Sequence, residues 1–496
     1  MEEKHKTGGY GRERLKEERS PLINRTWIKD DPLMLRGCHM FDKAQVVMLT
    51  EQELITKEIA AKLLKALREM EQLGVDKVRP GMHGGEAWIT KNPRYGPDVG
   101  GWIHIGRSSG DLSVTGYRIA LRERLLDLLE AVCELREALL DTAENNLESV
   151  MAGYSHNQIA QTLTFGHYLL ARVLPHERDF QRLRECYARV NMSPAGSAIM
   201  SGTDFAISRE RTAELMGFDE VIKNTKDAVF GQDHMLETLA VLAILANNIG
   251  KYADDLDWYS GFEFDEVEPA DQLSGTSSIM PQKKNPVCFE DFTRGRSGLI
   301  FGRLMGALAI DKVGTHAVSP MLMIPPEVLN AIEHTLGSIA VMTQAMKTIK
   351  FNKDIAKERV TEDWAQATDL AAALTRERNV PWRLAHHIVG TLVRHAIEEG
   401  KLPMETTPEM IDQAAMESIG KPIKWDVNSI RRALDPLESV KRRQITGGPA
   451  PNKVAEAIKE CRKNLKKDRE TVSSLRSKQE EAAEKLETAI DSIIGD

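Results

Sequence analysis

A polar segment at residues 275–286, called here the signature loop, combines the side chains that acid–base chemistry on an anion needs. Ser277 is a potential base or nucleophile, while Lys283 and Asn285 offer a cation and an amide. Its glycine, small hydroxyl residues and two prolines predict a loop rather than a core element. An apolar helical pattern resumes after Pro286, so the loop ends at a predicted helix N-terminus, which favours anions. The sequence predicts a site for a carboxylate or phosphate, with a solvated Ser/Lys turn as the alternative.

A second polar segment, the arginine turn at residues 106–111, contains Arg107, Ser108 and Ser109. It closes an irregular stretch that is rich in Gly, Pro and His, and long irregular segments in helical proteins are often functional. A helical pattern follows directly, so this turn also lies at a predicted helix N-terminus. A serine there can be a simple helix cap, but the cluster of Arg107 with two serines favours an anion-binding segment.

A third polar segment, the histidine turn at residues 153–158, separates two long helical patterns and contains Ser155 and His156. Histidine is the side chain best suited to move a proton near neutral pH. A lone histidine between helices is more often a structural hydrogen-bonding residue, and spacing alone does not separate the two interpretations.

Long helices must position these turns. Apolar residues recur at helical spacing over residues 114–150, 164–190, 224–260, 287–308 and 326–349. Together these segments predict an elongated helix bundle. A helical pattern also covers residues 41–73, and Thr50 is a predicted helix start because acidic residues follow it. Shorter helices after residue 352 predict a small helical domain.

Both ends of the chain differ from the middle. Residues 1–30 are charged and contain glycines, which predicts an extended arm that is ordered against another subunit. After residue 447, a charged helix carries a heptad-like apolar seam from Val454 to Ile493. This helix is predicted either to lie on its own subunit or to clasp a second one.

Composition excludes several classes of protein. The net charge of −8 gives no basic excess for nucleic-acid binding. No apolar run reaches membrane-spanning length and no secretory signal is visible, so we expect no membrane partner. The five cysteines are scattered without metal-ligand spacing, which fits reduced thiols in a cytoplasmic protein. No phosphate-binding or dinucleotide fingerprint is present, so we expect neither a metal nor an organic cofactor.

The order of residues in these three segments closely resembles the argininosuccinate lyase branch of the fumarase/aspartase superfamily. Gly-Arg-Ser-Ser-Gly-Asp in the arginine turn is similar to the family's Gly-Arg-Ser-Arg-Asn-Asp. Gly-Tyr-Ser-His-Asn-Gln in the histidine turn is similar to Gly-Tyr-Thr-His-Leu-Gln. Residues 191–196 are similar to Asn-Val-Ser-Pro-Leu-Gly. The resemblance extends, with gaps, from about residue 30 to residue 450.

The resemblance implies an all-α, three-domain fold whose long central helices form a twenty-helix core in a homotetramer. Each active site then takes its three segments from three different subunits. We expect an N-terminal domain with the arm and the arginine turn, a central bundle with the signature loop, a small C-terminal helical domain and a C-terminal helical extension. Their boundaries are 1–112, 113–363, 364–446 and 447–496.

The chemistry implied by the resemblance is β-elimination of an amine from an N-substituted aspartate, a small-molecule substrate, with release of fumarate. Ser277 takes the proton, and Lys283 and Asn285 hold the carboxylate whose charge grows. His156 orients or protonates the leaving nitrogen, and Glu290 is its carboxylate partner. The remaining substrate contacts are expected from Arg107, Ser108, Ser109, Ser155, Ser278 and Gln161.

Two departures from the family pattern concern the leaving amine. The family's Arg-Asn pair in the arginine turn is Ser109-Gly110 here. Residues 315–326 are apolar and proline-rich where the family carries a polar segment that contacts the arginine end of its substrate. We therefore expect a non-guanidino amine, with an aminopolycarboxylate such as ethylenediamine-N,N′-disuccinate as the substrate.

Three alternatives remain open. The chain could act on argininosuccinate itself, through an unusual amine pocket. It could be a non-catalytic structural protein, as some lens crystallins of this family are, although such a role needs none of the catalytic side chains. It could also be a helical scaffold that uses its C-terminal seam.

Overall fold

The computed structural model describes Ser20, Leu22, residues 30–79 and residues 81–495. The arm predicted for residues 1–30 therefore lies outside the described residues, except at Ser20, Leu22 and Asp30. Helices dominate the described chain, which confirms the all-helical fold class. No described helix combines the length and apolarity that crossing a membrane would need.

The N-terminal part consists of short and medium helices: α1 (Pro32–Glu51), α2 (Lys57–Leu73), α3 (Val75–Val78), α4 (Gly84–Lys91), α5 (Pro97–Gly100) and a 3-10 turn (Gly101–His104). The prediction that Thr50 starts a helix is wrong. Thr50 lies in the last turn of α1 and donates its hydroxyl to the carbonyl of Val46 at 2.7 Å. The next helix is capped by Thr56, whose hydroxyl accepts from the N–H of Ile59.

The middle of the chain contains the long bundle helices: α6 (Ser109–Glu144), α7 (Phe165–Val190), α8 (Arg209–Leu215), α9 (Thr225–Phe230), α10 (Asp233–Tyr259), α11 (Val287–Phe289), α12 (Arg296–Asp311) and α13 (Ser319–Thr348). Helix α6 packs against α7 and α13, and α10 packs against α12. Most of α6 is buried on every side, as expected of a helix at the centre of a bundle.

Two bundle helices begin earlier than the apolar pattern predicts. Helix α6 begins at Ser109 because Ser108 and Asp111 form a capping box ahead of the apolar stripe. Helix α13 begins at Ser319, not at Pro326, and includes both Pro325 and Pro326. Prolines usually open helices, so the sequence suggested the later start.

Short strands connect the helices: β1 (Val150–Ser155), β2 (Gln158–Thr164), β3 (Met192–Ser193), β4 (Glu220–Val221), β5 (Val267–Glu268), β6 (Gly275–Thr276), β7 (Lys284–Asn285) and β8 (Lys350–Phe351). The pairs β1–β2, β5–β8 and β6–β7 are antiparallel, and β3–β4 is parallel. The histidine turn is therefore the tip of a β-hairpin, where sequence analysis predicted only an irregular turn. His156 and Asn157 at the tip have φ of 54° and 58°, as a two-residue hairpin turn requires.

The helix predicted for residues 287–308 is interrupted. After α11, residues Glu290–Gly295 form a π-helix before α12 begins. The hydroxyl of Thr293 donates to the carbonyl of Cys288 at 2.8 Å, and Ser338 of α13 donates to the carbonyl of Phe292 at 2.9 Å. These bonds hold the π-turn, a feature that is frequent at functional sites.

The C-terminal part contains α14 (Lys353–Glu362), α15 (Ala367–Arg378), α16 (Trp382–Glu398), α17 (Pro408–Ile419), α18 (Val427–Leu434), α19 (Pro436–Lys441) and α20 (Pro451–Ile494). Residues between Leu370 and Leu434 form a hydrophobic core of their own. The domain boundaries at 112, 363 and 446 stay a prediction.

Helix α20 lies along its own chain. Its seam, from Val454 to Ile493, is buried within the main hydrophobic core. Arg476 of α20 bonds Asp127 and Glu130 of α6 at 2.8 and 2.7 Å. Of the two predicted roles, the structure shows packing on its own subunit. The apolar seam is buried against other helices of the same chain.

Candidate active site

The signature loop is closed at its base by the β6–β7 ladder, in which Thr276 pairs with Lys284. The ammonium group of Lys284 forms ion pairs with Glu268 at 2.9 Å and Asp271 at 2.8 Å. These contacts tether the loop to the segment that precedes it. The loop tip, with Ser278 and Lys283, is exposed.

The hydroxyl of Ser277 lies inside the loop. Its Oγ accepts hydrogen bonds from the backbone N–H groups of Met280 at 3.0 Å and Ile279 at 3.3 Å. Backbone donors aimed at an oxygen favour its negatively charged form. Within the described residues, Lys283 forms no ion pair, and Asn285 is half-buried on β7. The loop thus presents a hydroxyl that accepts two backbone N–H bonds, a cation and an amide.

The arginine turn is fixed from inside the protein. Arg107 is buried, and its guanidinium lies 2.7 Å from the carboxylate of Asp42, which also pairs with Arg79. Burial alone would raise the pKa of Asp42, but Arg79 and Arg107 outweigh it and hold that pKa below its usual value. Arg107 therefore supports the turn from below, and Ser109 is its exposed serine.

Asp111 joins the arginine turn to a neighbouring loop. Its carboxylate accepts from the N–H of Ser108 at 2.6 Å, and also from Gly196 at 3.1 Å and Ala198 at 3.3 Å. Burial raises the pKa of Asp111 although these donors oppose it. The Oγ of Ser108 accepts from the N–H of Gly110 at 3.4 Å. The position of Ser108 is thus set by the buried Asp111.

Ile199 fills the space beside the arginine turn. A Cβ atom at Gly110 would lie 2.3 Å from Cδ1 of Ile199, so no larger residue fits at position 110 without movement. Ile199 has φ of 75°, which is an outlier for a β-branched residue. Val229 and Met321 pack in the same apolar cluster. An apolar wall therefore stands where a polar side chain at position 110 would project.

The hairpin tip opens onto a cavity of about 1040 Å³. Ser155, His156 and Gln161 line it, and all three are exposed. From the C-terminal part, Arg443 donates to the carbonyl of Thr162 at 2.6 Å and so braces the hairpin. The cavity is thus shared between the hairpin, α10 and the segment after α19.

Charged residues of α10 and the π-helix also line this cavity, although no sequence motif indicated them. Arg294 bonds Asp254 at 2.7 Å and Asp257 at 3.0 Å. Burial raises the pKa of Asp257, and Arg294 opposes that shift. Glu290 lies 3.5 Å from Arg294 and does not line the cavity. The i,i+4 spacing of Glu290 and Arg294 is the sequence feature that could have indicated this ion pair.

The predicted site residues do not converge within one chain. Across the described residues, no hydrogen bond or ion pair joins the signature loop, the arginine turn and the histidine turn. Glu290 pairs with Arg294, so within one chain it is not bonded to His156. Each segment is held by its own contacts, and Ser109, His156 and Ser278 are exposed.

Comparisons with known proteins agree with these motifs. The family model described as lyase matches residues 37–302, and that described as argininosuccinate lyase C-terminal matches residues 364–441. Argininosuccinate lyase of Methanocaldococcus jannaschii is 40% identical over 431 residues, which cover 86% of this chain and 87% of that protein. Argininosuccinate lyase of Methanothermobacter thermautotrophicus is 36% identical over 439 residues, which cover 87% and 92%.

A solved structure is similar over nearly the full length. The crystal structure of EDDS lyase in complex with formate superposes with a TM-score of 0.88 at 31% identity, and the match covers 97% of each chain. This chain therefore shares its fold with that enzyme over nearly its whole length.

Proposed function

The chain belongs to the argininosuccinate lyase branch of the fumarase/aspartase superfamily and is a carbon–nitrogen lyase, and we propose from this premise that it eliminates an amine from an N-substituted aspartate to give fumarate. The observation that carries the proposal is the hydroxyl of Ser277, which accepts two backbone N–H bonds within the signature loop. The family's base position thus holds a hydroxyl whose anion is stabilised.

Ser277 removes the proton from the carbon next to a substrate carboxylate. That proton is weakly acidic, so the base must be an activated alkoxide and the product carbanion must be stabilised by fixed donors. The N–H groups of Ile279 and Met280 stabilise the alkoxide before the reaction. When Ser277 accepts the proton, it becomes a neutral hydroxyl.

The charge that develops on the substrate passes into its carboxylate, which becomes a doubly charged aci-carboxylate. Lys283 is exposed at the loop tip and Asn285 lies on β7, so both can approach an anion beside Ser277. Ser108, Ser109 and Ser155 bind the fumaryl part, with Ser278 and Gln161 beside them. Arg107 acts indirectly, since its guanidinium is held by Asp42 inside the protein.

The leaving nitrogen needs a proton as the C–N bond breaks. His156 stands at the hairpin tip, where its side chain is exposed and faces the cavity. It orients or protonates this nitrogen, and Glu290 is its carboxylate partner from another copy of the chain. The positive φ at position 156 is the one that the two-residue hairpin turn requires.

Several copies of the chain build each site. The three polar segments are separate in one chain, and α12 leaves large apolar side chains uncovered. Phe301, Met305 and Leu308 are 59%, 52% and 44% exposed. Their i, i+4, i+7 spacing places them on one face of the helix, and an exposed apolar face of this kind marks a protein interface. Helix α12 directly follows the signature loop and its π-turn, so association through α12 would bring each loop to its neighbours. We infer a homotetramer.

The leaving amine is not a guanidine. Position 110 is a glycine where the family motif has a polar residue, and the apolar side chain of Ile199 occupies the space beside it. Residues 315–326 continue this apolar character, with Met321 packed in the same cluster as Ile199. A guanidinium needs several hydrogen-bond acceptors, and an apolar wall would leave it unpaired. An aminopolycarboxylate such as ethylenediamine-N,N′-disuccinate suits the site better, and the similarity to EDDS lyase supports this class.

Argininosuccinate is the second candidate substrate. It is supported by the relatives of 36% to 40% identity, which are named argininosuccinate lyase. A screen of fumarate addition to arginine, ethylenediamine and simple amines separates the two candidate substrates. Every addition removes fumarate and so lowers its ultraviolet absorbance. Turnover with amines other than arginine supports the first candidate; turnover with arginine alone supports the second. No turnover with any amine would favour a structural role.

A further inference from the structure

A cluster of two histidines and a glutamate lies between α4 and the arginine turn. His83 immediately precedes α4, Glu86 lies in its first turn, and His104 ends the 3-10 turn that leads to Arg107. The Nδ1 atom of His104 is 3.2 Å from Oε2 of Glu86, and that of His83 is 4.0 Å from the same oxygen. One donor atom of each residue lies within 4.8 Å of the others.

Two glycines bring this cluster together. A Cβ at Gly84 would lie 2.4 Å from the Arg79 side chain, and one at Gly85 would lie 2.3 Å from the Asp42 carboxylate. Only glycines allow the start of α4 to press against the buried Asp42–Arg79 pair. This close approach places Glu86, whose side chain is 9% exposed, beside both imidazoles.

The charges around the cluster suit a cation. A buried carboxylate needs a positive partner, since an uncompensated buried charge is costly. The two imidazoles are about a third exposed, at 30% and 32%, so an ion can reach them.

We propose that His83, Glu86 and His104 bind a divalent transition-metal ion of the zinc type. Two imidazole nitrogens and one carboxylate oxygen form a ligand set that zinc favours, with a fourth position left to water. Ligands about 2.0–2.1 Å from zinc in a tetrahedron are roughly 3.3 Å apart. The pair Glu86–His104 already has this spacing, and the His83 Nδ1 atom lies 4.0 Å from the same carboxylate oxygen.

The ion ties α4 to the arginine turn. His104 precedes Arg107 by three residues, and Ser108 and Ser109 follow, so a metal bridge to Glu86 would fix the backbone that leads to these serines. The bound ion is a positioning element: it touches neither the substrate nor the reacting atoms. This role is separate from the proposed elimination chemistry, and zinc binding is measurable whether or not the substrate is known.

Zinc sulfate titrated calorimetrically into the full chain, after dialysis against a chelator, tests the proposal. We expect about one ion per chain, and His104→Gln should weaken binding by more than the roughly 10- to 100-fold typical of outer-shell changes. Glu86→Gln, which preserves shape, should do the same. The double variant His386→Gln/His387→Gln removes an exposed histidine pair on α16 and should bind zinc as the unaltered chain does.

Cobalt supplies a second readout that does not depend on stability. Cobalt added to the metal-free chain should give visible absorption from nitrogen and oxygen ligands, and that spectrum should be lost in Glu86→Gln. The proposal is overturned if the unaltered chain binds no zinc. It is also overturned if zinc binding survives both Glu86→Gln and His104→Gln, or disappears in the His386/His387 control.

Discussion

The backbone N–H of Met280 donates a hydrogen bond to the Oγ atom of Ser277 at 3.0 Å, three residues along the same loop. The N–H of Ile279 donates to the same atom. The loop therefore curls around its own hydroxyl and aims two donors at it. An oxygen in this environment is better suited to exist as an alkoxide than a serine in water.

Ser277→Ala should reduce turnover by about 10²- to 10⁴-fold, the range for loss of a general base. Substrate binding should change little, because the carboxylate contacts remain. Steady-state rates and calorimetric binding of fumarate separate the two effects. Ser274→Ala is a matched control, since its hydroxyl donates to the carbonyl of Ala270 outside the loop tip. Near-normal turnover in Ser277→Ala would rule out this residue as the base.

Adjacent lysines should behave differently. Lys283→Met should lower kcat strongly, because its ammonium stabilises charge that grows in the transition state. Lys284→Met should mainly loosen the loop, because its ammonium is held by Glu268 and Asp271. We expect a smaller loss of kcat and a lower protection of the loop from proteolysis. Equal effects of both changes on kcat would contradict the assignment of Lys283.

Substitutions at Gly110 and Ile199 should have coupled effects on stability and activity. Gly110→Asn introduces a Cβ that collides with Ile199 at 2.3 Å, so this variant should lose stability and activity. Ile199→Gly removes the obstacle and suits the φ of 75° at this position. The double variant should recover part of both properties, with a coupling of about 0.5–3 kcal/mol in a denaturation cycle. Additive effects would mean that the two side chains do not compete for this space.

The stability of the protein should depend on Glu266. Burial raises the pKa of Glu266 to about 7, although Arg359 opposes the shift. The folded state thus holds this proton more tightly than the unfolded state does. The associated stability is present below the ordinary carboxyl pKa and is lost as the pH rises through about 7. Glu266→Gln should flatten the decline of Tm between about pH 4.5 and about pH 7.

Glu268→Gln provides the control for this titration. Glu268 is near the surface, and hydrogen bonds from Lys284 and Lys350 lower its pKa. Its contribution to stability is therefore lost only in acid, and its removal should leave the slope near neutral pH unchanged. If Glu266→Gln keeps the slope of the unaltered chain, Glu266 does not titrate in that range.

Local patterns predicted the parts of the fold that depend on local sequence. Helix α7 was predicted within one residue at each end because its apolar stripe is continuous and Thr164 caps it. The seam of α20 was predicted for the same reason. The hairpin at Val150–Thr164 was missed because its strands of six and seven residues lie between two long helical patterns and show no strict alternation of apolar and polar residues. Its tip also uses His156 and Asn157 at positive φ, which glycine would have signalled more clearly.

Contacts between residues that are far apart in the sequence could not be predicted from local patterns. The sequence alone could identify Gly110 as a departure from the family motif, but not that Ile199, far along the chain, occupies the freed space. Likewise, the rest of α4, helix α5 and the 3-10 turn separate His83 and Glu86 from His104 along the chain, and only the fold brings their side chains together. The candidate catalytic residues could be identified from their motifs, whereas the residues that contact them are set by the tertiary structure.

The most direct test of the proposed function is the rate of fumarate release from ethylenediamine-N,N′-disuccinate and from argininosuccinate, measured with the same preparation of the full chain. We predict steady release from the first substrate, reduced about 10²- to 10⁴-fold by Ser277→Ala, and much slower release from the second. Faster release from argininosuccinate would contradict the proposal that an apolar pocket around Ile199 and residues 315–326 disfavours a guanidinium. Release from neither substrate would contradict the proposed substrate class.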